Sequence, residues 1–106
     1  MSFIDLAQQE EREIIRGYHA KFVHTNNMTI AYWRIDAGAA LPEHSHHHEQ
    51  VVNLIEGEFE FNFKGEIKKL SPGAVVVVPP NVPHCGKAIT DCRLMDVFHP
   101  MREDYK

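Results

Sequence analysis

The fold class is decided by residues 58–78, which read EFEFNFKGEIKKLSPGAVVVV. Phe59, Phe61 and Phe63 alternate with polar residues, and this two-residue period is typical of a strand with one buried face. Gly and Pro then interrupt the stretch twice, as they do in turns. The stretch therefore predicts three short strands, at residues 58–64, 66–70 and 74–78.

The flanking segments have the same character. Residues 28–35, MTIAYWRI, are rich in β-branched and aromatic residues, and residues 91–98 predict a last strand. Residues 74–78 are apolar throughout, so this strand is expected to be buried on both faces. Residues 1–16 carry a weak helical pattern, to which we assign no function. Short strands at regular spacing predict a single all-β domain, either a sandwich or a barrel.

Composition argues against several classes of function. The chain has 106 residues, the size of one domain, and its 11 Lys and Arg against 15 Asp and Glu give a net charge of −4. Such a chain is not expected to bind nucleic acid. The first residues are too charged for a signal peptide, and no apolar run approaches the roughly 20 residues that cross a bilayer. We therefore expect a cytoplasmic protein without a membrane partner, in which Cys85 and Cys92 are reduced thiols.

The first chemical signal is a histidine-rich segment, His44-Ser45-His46-His47-His48-Glu49-Gln50. His44 and His46, two residues apart on a strand, would project from the same face and could reach one metal ion. A solvated polar turn or an expression tag would also be rich in histidine, but the flanking sequences LPE and QVVNLIEG are typical of a native chain. A third imidazole is available at His84, because the prolines in residues 79–83 fix a rigid turn just before it.

The second signal is a carboxylate in an apolar setting. In the predicted last strand, Asp96 shares a face with Leu94 and Phe98. A carboxylate buried among apolar side chains is costly unless it is paired or hydrogen-bonded. Asp96 therefore either stabilises a structural network or faces a polar cavity that holds the metal. The structural interpretation is a salt bridge from Asp96 to Arg102 that closes the C-terminal tail.

Two spaced patterns resemble the motifs of the cupin family. Gly38-x5-His44-x-His46-x3-Gln50-x6-Gly57 is similar to the first motif, and Gly65-x5-Ser71-x-Gly73 through Pro79-x3-Pro83-His84 is similar to the second. Ser71 stands where the family usually has Pro, and Gln50 where it usually has Glu. The resemblance implies a double-stranded β-helix, or jelly-roll barrel, with its metal inside one open end. Its parts would be an N-terminal extension or strand (1–27), the barrel core (28–99) and a C-terminal tail (100–106).

The resemblance assigns one divalent ion to His44, His46, Gln50 and His84. These neutral donors leave the ion its full charge, so the site is expected to be a stronger Lewis acid than one with a carboxylate. Ni, Zn, Mn, Co and Fe all accept such ligands, and the sequence does not choose among them. Glu49 is the rival to Gln50, but it has the opposite strand parity and does not fit the spacing to Gly57. A bulge would reverse that parity argument.

The ending DVFHPMREDY, residues 96–105, resembles that of the KdgF-type cupins, which open the ring of 4,5-unsaturated uronate monosaccharides during pectin and alginate breakdown. Those cupins also have Gln among the metal ligands. The matching functional positions here are Asp96, Phe98 and Arg102. By resemblance, Arg102 would pair with the carboxylate of a small acidic sugar, Asp96 would move a proton, and Phe98 would pack against the sugar ring.

Two other functions and two structural questions stay open. A cupin dioxygenase would use iron, with Glu49 or water completing its ligands, and a non-catalytic sugar-binding cupin would tolerate loss of Asp96. Residues 32–34, Tyr-Trp-Arg, are candidates to line the pocket, with a core role as the alternative for Trp33. The resemblance also implies a homodimer.

Overall fold

The computed structural model describes all 106 residues and is built almost entirely of strands. In chain order the strands are β1 (Arg12–Ile15), β2 (Tyr18–His24), β3 (Thr29–Ile35), β4 (Ala40–His44), β5 (Glu49–Glu56), β6 (Phe59–Phe63), β7 (Glu66–Leu70), β8 (Val75–Val78), β9 (His84–Ala88) and β10 (Cys92–His99). Two short 3-10 helices, Leu6–Gln8 and Glu103–Tyr105, lie near the ends of the chain. No helix has the length and apolar composition to cross a membrane.

The strands form two antiparallel sheets around one core. The larger sheet has the order β1-β2-β3-β10-β5-β8 and the smaller has the order β4-β9-β6-β7. Buried side chains of both sheets meet between them, among them Trp33 and Leu94 of the larger sheet and Phe59 and Phe61 of the smaller. This arrangement confirms the predicted jelly-roll barrel. Alternation explains why it forms, because each strand places every second side chain in the shared core.

Five of the predicted strands are confirmed with bounds within one residue, as β3, β6, β7, β8 and β10. The turn between β6 and β7 has two residues, Lys64 and Gly65, both with positive φ (53° and 76°). Two such residues are what a tight hairpin needs to match the twist of its strands. Alternating polarity and a recognisable turn therefore located this hairpin from the sequence.

The burial predicted for residues 74–78 was wrong. β8 lies at the edge of the larger sheet, and its Val75 and Val77 are 58% and 59% exposed. Only one face of that sheet is covered by the other sheet, so alternate valines point outward. A run of identical apolar residues carries no period, and the sequence could not show which face was covered.

The N-terminal segment contains both a helical turn and strands. The weak helical pattern of residues 1–16 corresponds to a single 3-10 turn, Leu6–Gln8, and strand pairing replaces it from Arg12 onward, as tertiary contacts commonly do. β1 and β2 both join the larger sheet, so residues 1–27 contribute two strands to it. Ile14 and Ile15 of β1 thereby become part of the wall of the central cavity.

Candidate metal centre

Three histidines from separate parts of the chain meet at one end of the barrel. His44 is the last residue of β4, and His84 is the first residue of β9, directly opposite it in the antiparallel pair. The ligand atoms of His44, His46 and His84 all lie within 4.8 Å of one another. This is the spacing that lets three imidazoles share a metal ion.

His46 reaches this cluster by a route that the sequence did not predict. β4 ends at His44, so His46 lies in the loop before β5 rather than on the same strand face. The backbone N–H of Asn81 donates to the carbonyl of His46 at 2.7 Å. The proline-rich turn that precedes His84 is thereby joined to the histidine-rich loop, which brings the two motifs together.

Each of the three imidazoles is oriented by a backbone carbonyl. Nδ1 lies 3.0 Å from the Pro42 oxygen in His44, 3.0 Å from the His48 oxygen in His46, and 2.9 Å from the Val82 oxygen in His84. A carbonyl can only accept, so Nδ1 carries the hydrogen and Nε2 is left with a free lone pair. Metal-binding histidines are commonly held in this way.

The charge state of the cluster also suits a metal. Burial lowers the pKa of His46 and brings that of His84 to about 4, so both imidazoles are neutral at neutral pH. His84 Nε2 is buried and has no hydrogen-bond partner. A buried polar atom without a partner is costly, and a bound cation would satisfy it.

Gln50 connects the imidazoles to the carboxylate. Its amide N–H donates to Asp96 Oδ2 at 2.9 Å, and its Oε1 lies 3.0 Å from His46 Nε2. Since His46 is protonated on Nδ1, two lone pairs face each other across this second contact. A cation between them would turn repulsion into ligation, so the residues present fit a divalent ion. Glu49 is exposed and lies on the opposite face of β5 from Gln50.

Asp96 lies inside the barrel, at the centre of β10. It is only 6% exposed, and its Oδ1 has no hydrogen-bond partner. Burial raises the pKa of Asp96 to about 7, in opposition to the hydrogen bond from Gln50. A carboxyl group with a pKa near neutrality and a free oxygen is suited to exchange protons with a ligand.

The salt bridge from Asp96 to Arg102 is absent, so that structural interpretation was wrong. Arg102 pairs with Asp104 instead, through two hydrogen bonds of 2.9 and 2.7 Å. The 3-10 turn of the tail places Asp104 beside Arg102, while Asp96 accepts a hydrogen bond from Gln50. Burial disfavours the charge of Arg102, but the bond and the charge of Asp104 outweigh it and raise its pKa.

The predicted aromatic and cationic groups surround the same space. The Arg102 guanidinium lies over the rings of Phe98 and Tyr105, at 4.7 and 4.1 Å from their centres. Phe98 in turn packs edge-on against His46, with ring centres 5.7 Å apart. The tail that follows β10 thus closes the end of the barrel where the histidines meet.

A cavity of about 140 Å³ lies beside these groups, and His46 is not among the residues that line it. His44, Gln50, His84, Asp96 and Arg102 supply its polar wall, and most of the other lining residues are apolar. Of the three candidates at residues 32–34, Trp33 lines the cavity and also packs in the core. Tyr32 and Arg34 have the opposite strand parity and line an outer groove.

Sequence reasoning missed Tyr105 and Asp104, which contact Arg102 from the tail. Tyr105 also stacks on Phe22 of β2, with ring centres 4.7 Å apart. Both residues lie within the ending DVFHPMREDY, whose resemblance to the KdgF-type cupins was the available signal, but only Asp96, Phe98 and Arg102 were assigned roles from it. The contacts of Asp104 and Tyr105 with Arg102 depend on the 3-10 turn, which the sequence did not predict.

Comparison with known proteins gives consistent matches. A family model described as "Cupin domain" matches residues 31–98. The structure of KdgF from Halomonas sp. is similar, with a TM-score of 0.93 and 30% identity over 99% of this chain and 100% of that one. An RmlC-like cupin from Shewanella frigidimarina has a TM-score of 0.94 and 34% identity over 100% and 96% of the two chains. An uncharacterized protein of Streptomyces coelicolor is 28% identical over 93 residues, which are 87% of this chain and 89% of that protein.

Proposed function

The chain belongs to the cupin family, and from that premise we propose that it is a metal-dependent enzyme that opens the ring of 4,5-unsaturated uronate monosaccharides. The activity is the one that the resemblance to KdgF-type cupins implies, and KdgF of Halomonas sp. matches the whole chain in structure. The observation that carries the proposal is the chain of contacts from His46 through Gln50 to Asp96 in the cavity that Arg102 closes.

In this proposal one divalent ion is held by His44, His46, Gln50 and His84. When bound there, the ion would act as a Lewis acid that polarises oxygens of the sugar. The three histidines offer unprotonated Nε2 atoms, and Gln50 offers a carbonyl oxygen fixed by Asp96. Imidazole and amide donors suit Ni, Zn, Mn, Co or Fe, so these ligands do not select a particular ion.

The proposed reaction is an isomerisation that needs no oxidant. The bond from C1 to the ring oxygen breaks, and the C1 hydroxyl loses its proton to become an aldehyde. The ring oxygen stays on C5 as an enolate, which becomes a ketone when C4 gains a proton. One proton leaves an oxygen and one reaches a carbon, so a single group that exchanges protons is sufficient.

Each of the other site residues has a task in this reaction. Asp96 is the proton carrier, because its Oδ1 is unpartnered in the cavity and its pKa is near neutrality. Arg102 binds the carboxylate of the sugar by charge-assisted hydrogen bonds. Phe98 packs against the ring. The cavity, of about 140 Å³, is close in volume to the cavities of roughly 150 Å³ that bind benzene, a ring without the substituents of a uronate.

The direct test follows the ultraviolet absorbance of the conjugated double bond when the protein is mixed with 4,5-unsaturated galacturonate. We expect the absorbance to fall faster than in the spontaneous reaction, and a chelator to abolish the acceleration. No acceleration by protein that is shown to contain metal would contradict the proposal. The same cavity would then be tested as the site of a dioxygenase or of a non-catalytic sugar-binding cupin.

We also propose that the chain acts as a homodimer that pairs through the outer face of the larger sheet. Register places four apolar residues side by side across that face, namely Ile30, Val97, Val51 and Val77. Val75 and Ile55, 58% and 54% exposed, extend the same surface. An apolar surface of this kind is typical of a protein interface, and in a two-fold dimer the same patch of both copies would meet.

A further inference from the structure

The C-terminal tail holds an ion pair between Arg102 and Asp104, and the proposed reaction gives a role only to Arg102. Nε and Nη2 of Arg102 donate to Oδ1 and Oδ2 of Asp104, at 2.9 and 2.7 Å. Two parallel hydrogen bonds are the arrangement in which a guanidinium and a carboxylate bind with the most defined geometry. Asp104 is therefore bound firmly to the arginine that lines the cavity.

The two partners face different surroundings. The Arg102 side chain is 8% exposed and forms part of the cavity wall, whereas the Asp104 side chain is 58% exposed. Asp104 lines an outer groove between the tail and the histidine-rich loop, and it does not line the cavity. It therefore approaches the guanidinium from outside the site.

The pairing leaves part of the guanidinium free. Arginine has five N–H donors, and the pair with Asp104 uses one on Nε and one on Nη2. The edge formed by Nη1 and the second Nη2 hydrogen takes no part in it. Contacts with the rings of Phe98 and Tyr105 restrict the plane of the guanidinium, but they do not fix its rotation within that plane. The two bonds to Asp104 remove that rotation.

We propose that Asp104 is a positioning residue, which orients Arg102 so that the free edge of the guanidinium meets a ligand carboxylate in the cavity. This inference rests on the proposed function, in which that carboxylate belongs to a uronate. Asp104 and the ligand would bind different edges of the same group, so they would not compete. Because Arg102 is already oriented, ligand binding does not include the entropic cost of ordering its side chain.

The test compares two neighbouring acidic residues in the metal-loaded protein. Asp104→Asn keeps the size of the side chain but removes its charge and one acceptor of the pair. Glu103→Gln is the matched control, because Glu103 is 76% exposed and contacts only Lys106, at 3.9 Å. Calorimetry would measure binding of galacturonate, a saturated uronate that lacks the double bond needed for the reaction. We expect Asp104→Asn to weaken binding about tenfold, and Glu103→Gln to leave it unchanged.

Kinetics with 4,5-unsaturated galacturonate distinguish a loss of binding from a general loosening of the fold. Asp104→Asn should raise KM about tenfold while kcat stays within about twofold, because the lost contribution is to binding. Asp104→Glu, which restores a carboxylate, should recover part of the loss. Unchanged galacturonate binding in Asp104→Asn would overturn the inference. Tighter binding would overturn it too, because it would make Asp104 a competitor of the ligand.

Failure of the proposed function would be distinguishable from failure of this inference. If only the proposed function fails, the wild-type protein would bind galacturonate without accelerating the loss of the double bond. The comparison of binding constants would then still decide the role of Asp104. A wild-type protein that binds no galacturonate would overturn the inference directly. Trp33 is the only tryptophan of the chain and lines the cavity, so its fluorescence offers an independent check on binding.

Discussion

At the scale of single residues, the amide at position 50 determines how the site is connected. Gln50 presents its oxygen to the histidines and its N–H to Asp96. A glutamate at this position would place two carboxylates within hydrogen-bond distance, and like charges that close cannot both ionise without a large cost. The departure from the usual motif therefore allows Asp96 to lie next to the candidate metal ligands.

The first prediction at this scale concerns Asp96→Asn. Asparagine keeps an oxygen that accepts the bond from Gln50, so metal content and melting temperature should change little. Turnover should fall by roughly 10²–10⁴-fold, the usual contribution of a positioned acid or base. Metal analysis and the absorbance assay measure the two effects. Glu49→Gln is the control, since Glu49 is exposed on the opposite face of β5, and an equally small effect of both changes would argue against Asp96 as the proton carrier.

The candidate site was only partly predictable at this scale. Spacing located His44, His46, Gln50 and His84, because motifs record which residues recur at fixed separations. The geometric reason given for His46 was wrong, since a loop rather than a strand presents it. The carbonyl of His46 accepts a hydrogen bond from the backbone of the proline-rich turn. A contact between two backbone groups does not depend on the identity of their side chains, so the sequence could not show it.

At the scale of elements, the positions of several strands were predictable, but their burial was less so. β6 buries an apolar face and leaves a polar face partly exposed, so its period is visible in the sequence. β8 was located within one residue, but a run of valines has no period, so the sequence could not show that one of its faces is exposed. β1 is a short strand in a charged segment and was not predicted. Which face of a strand is covered depends on its neighbours, and that is a property of the assembled sheet.

The outer face of β8 and β5 leads to a prediction about assembly. Val77→Lys places a charge on the most exposed of the four apolar residues that lie side by side across the proposed interface, and we expect it to convert a dimer to a monomer in sedimentation velocity experiments. Ile67→Lys is the matched control, because Ile67 is 61% exposed on β7 of the other sheet. A wild-type protein that is already monomeric, or a dimer that survives Val77→Lys, would contradict this interface.

At the scale of the whole molecule, the proposed metal ligands connect the two sheets. His44 and His84 belong to the smaller sheet, while Gln50 and its partner Asp96 belong to the larger. An ion held by ligands from both sheets would bind the folded chain and not the unfolded one. Binding free energy of this kind adds to the free energy of unfolding.

We therefore predict that chelation lowers the melting temperature of metal-loaded protein. Free ion at 100 times its dissociation constant stabilises a fold by about 2.7 kcal/mol. For a domain of this size that corresponds to a shift of roughly 10 °C or more. Scanning calorimetry with and without a chelator measures it. His84→Ala should abolish the shift. The control is His47→Ala, which should keep the shift because His47 is exposed and lies outside the cluster. A shift that survives His84→Ala would contradict the ligand set.

Strands β5 and β10 serve the cavity and the outer face at alternate positions. Gln50 and Asp96 point inward, and their chain neighbours Val51 and Val97 point outward. Inserting or deleting one residue within either strand would exchange the two sets, so that a valine would take the place of Gln50 or Asp96 and a polar group would enter the outer surface. We expect related sequences to vary in length at the β6–β7 turn and not within β5 or β10, even where their individual residues differ.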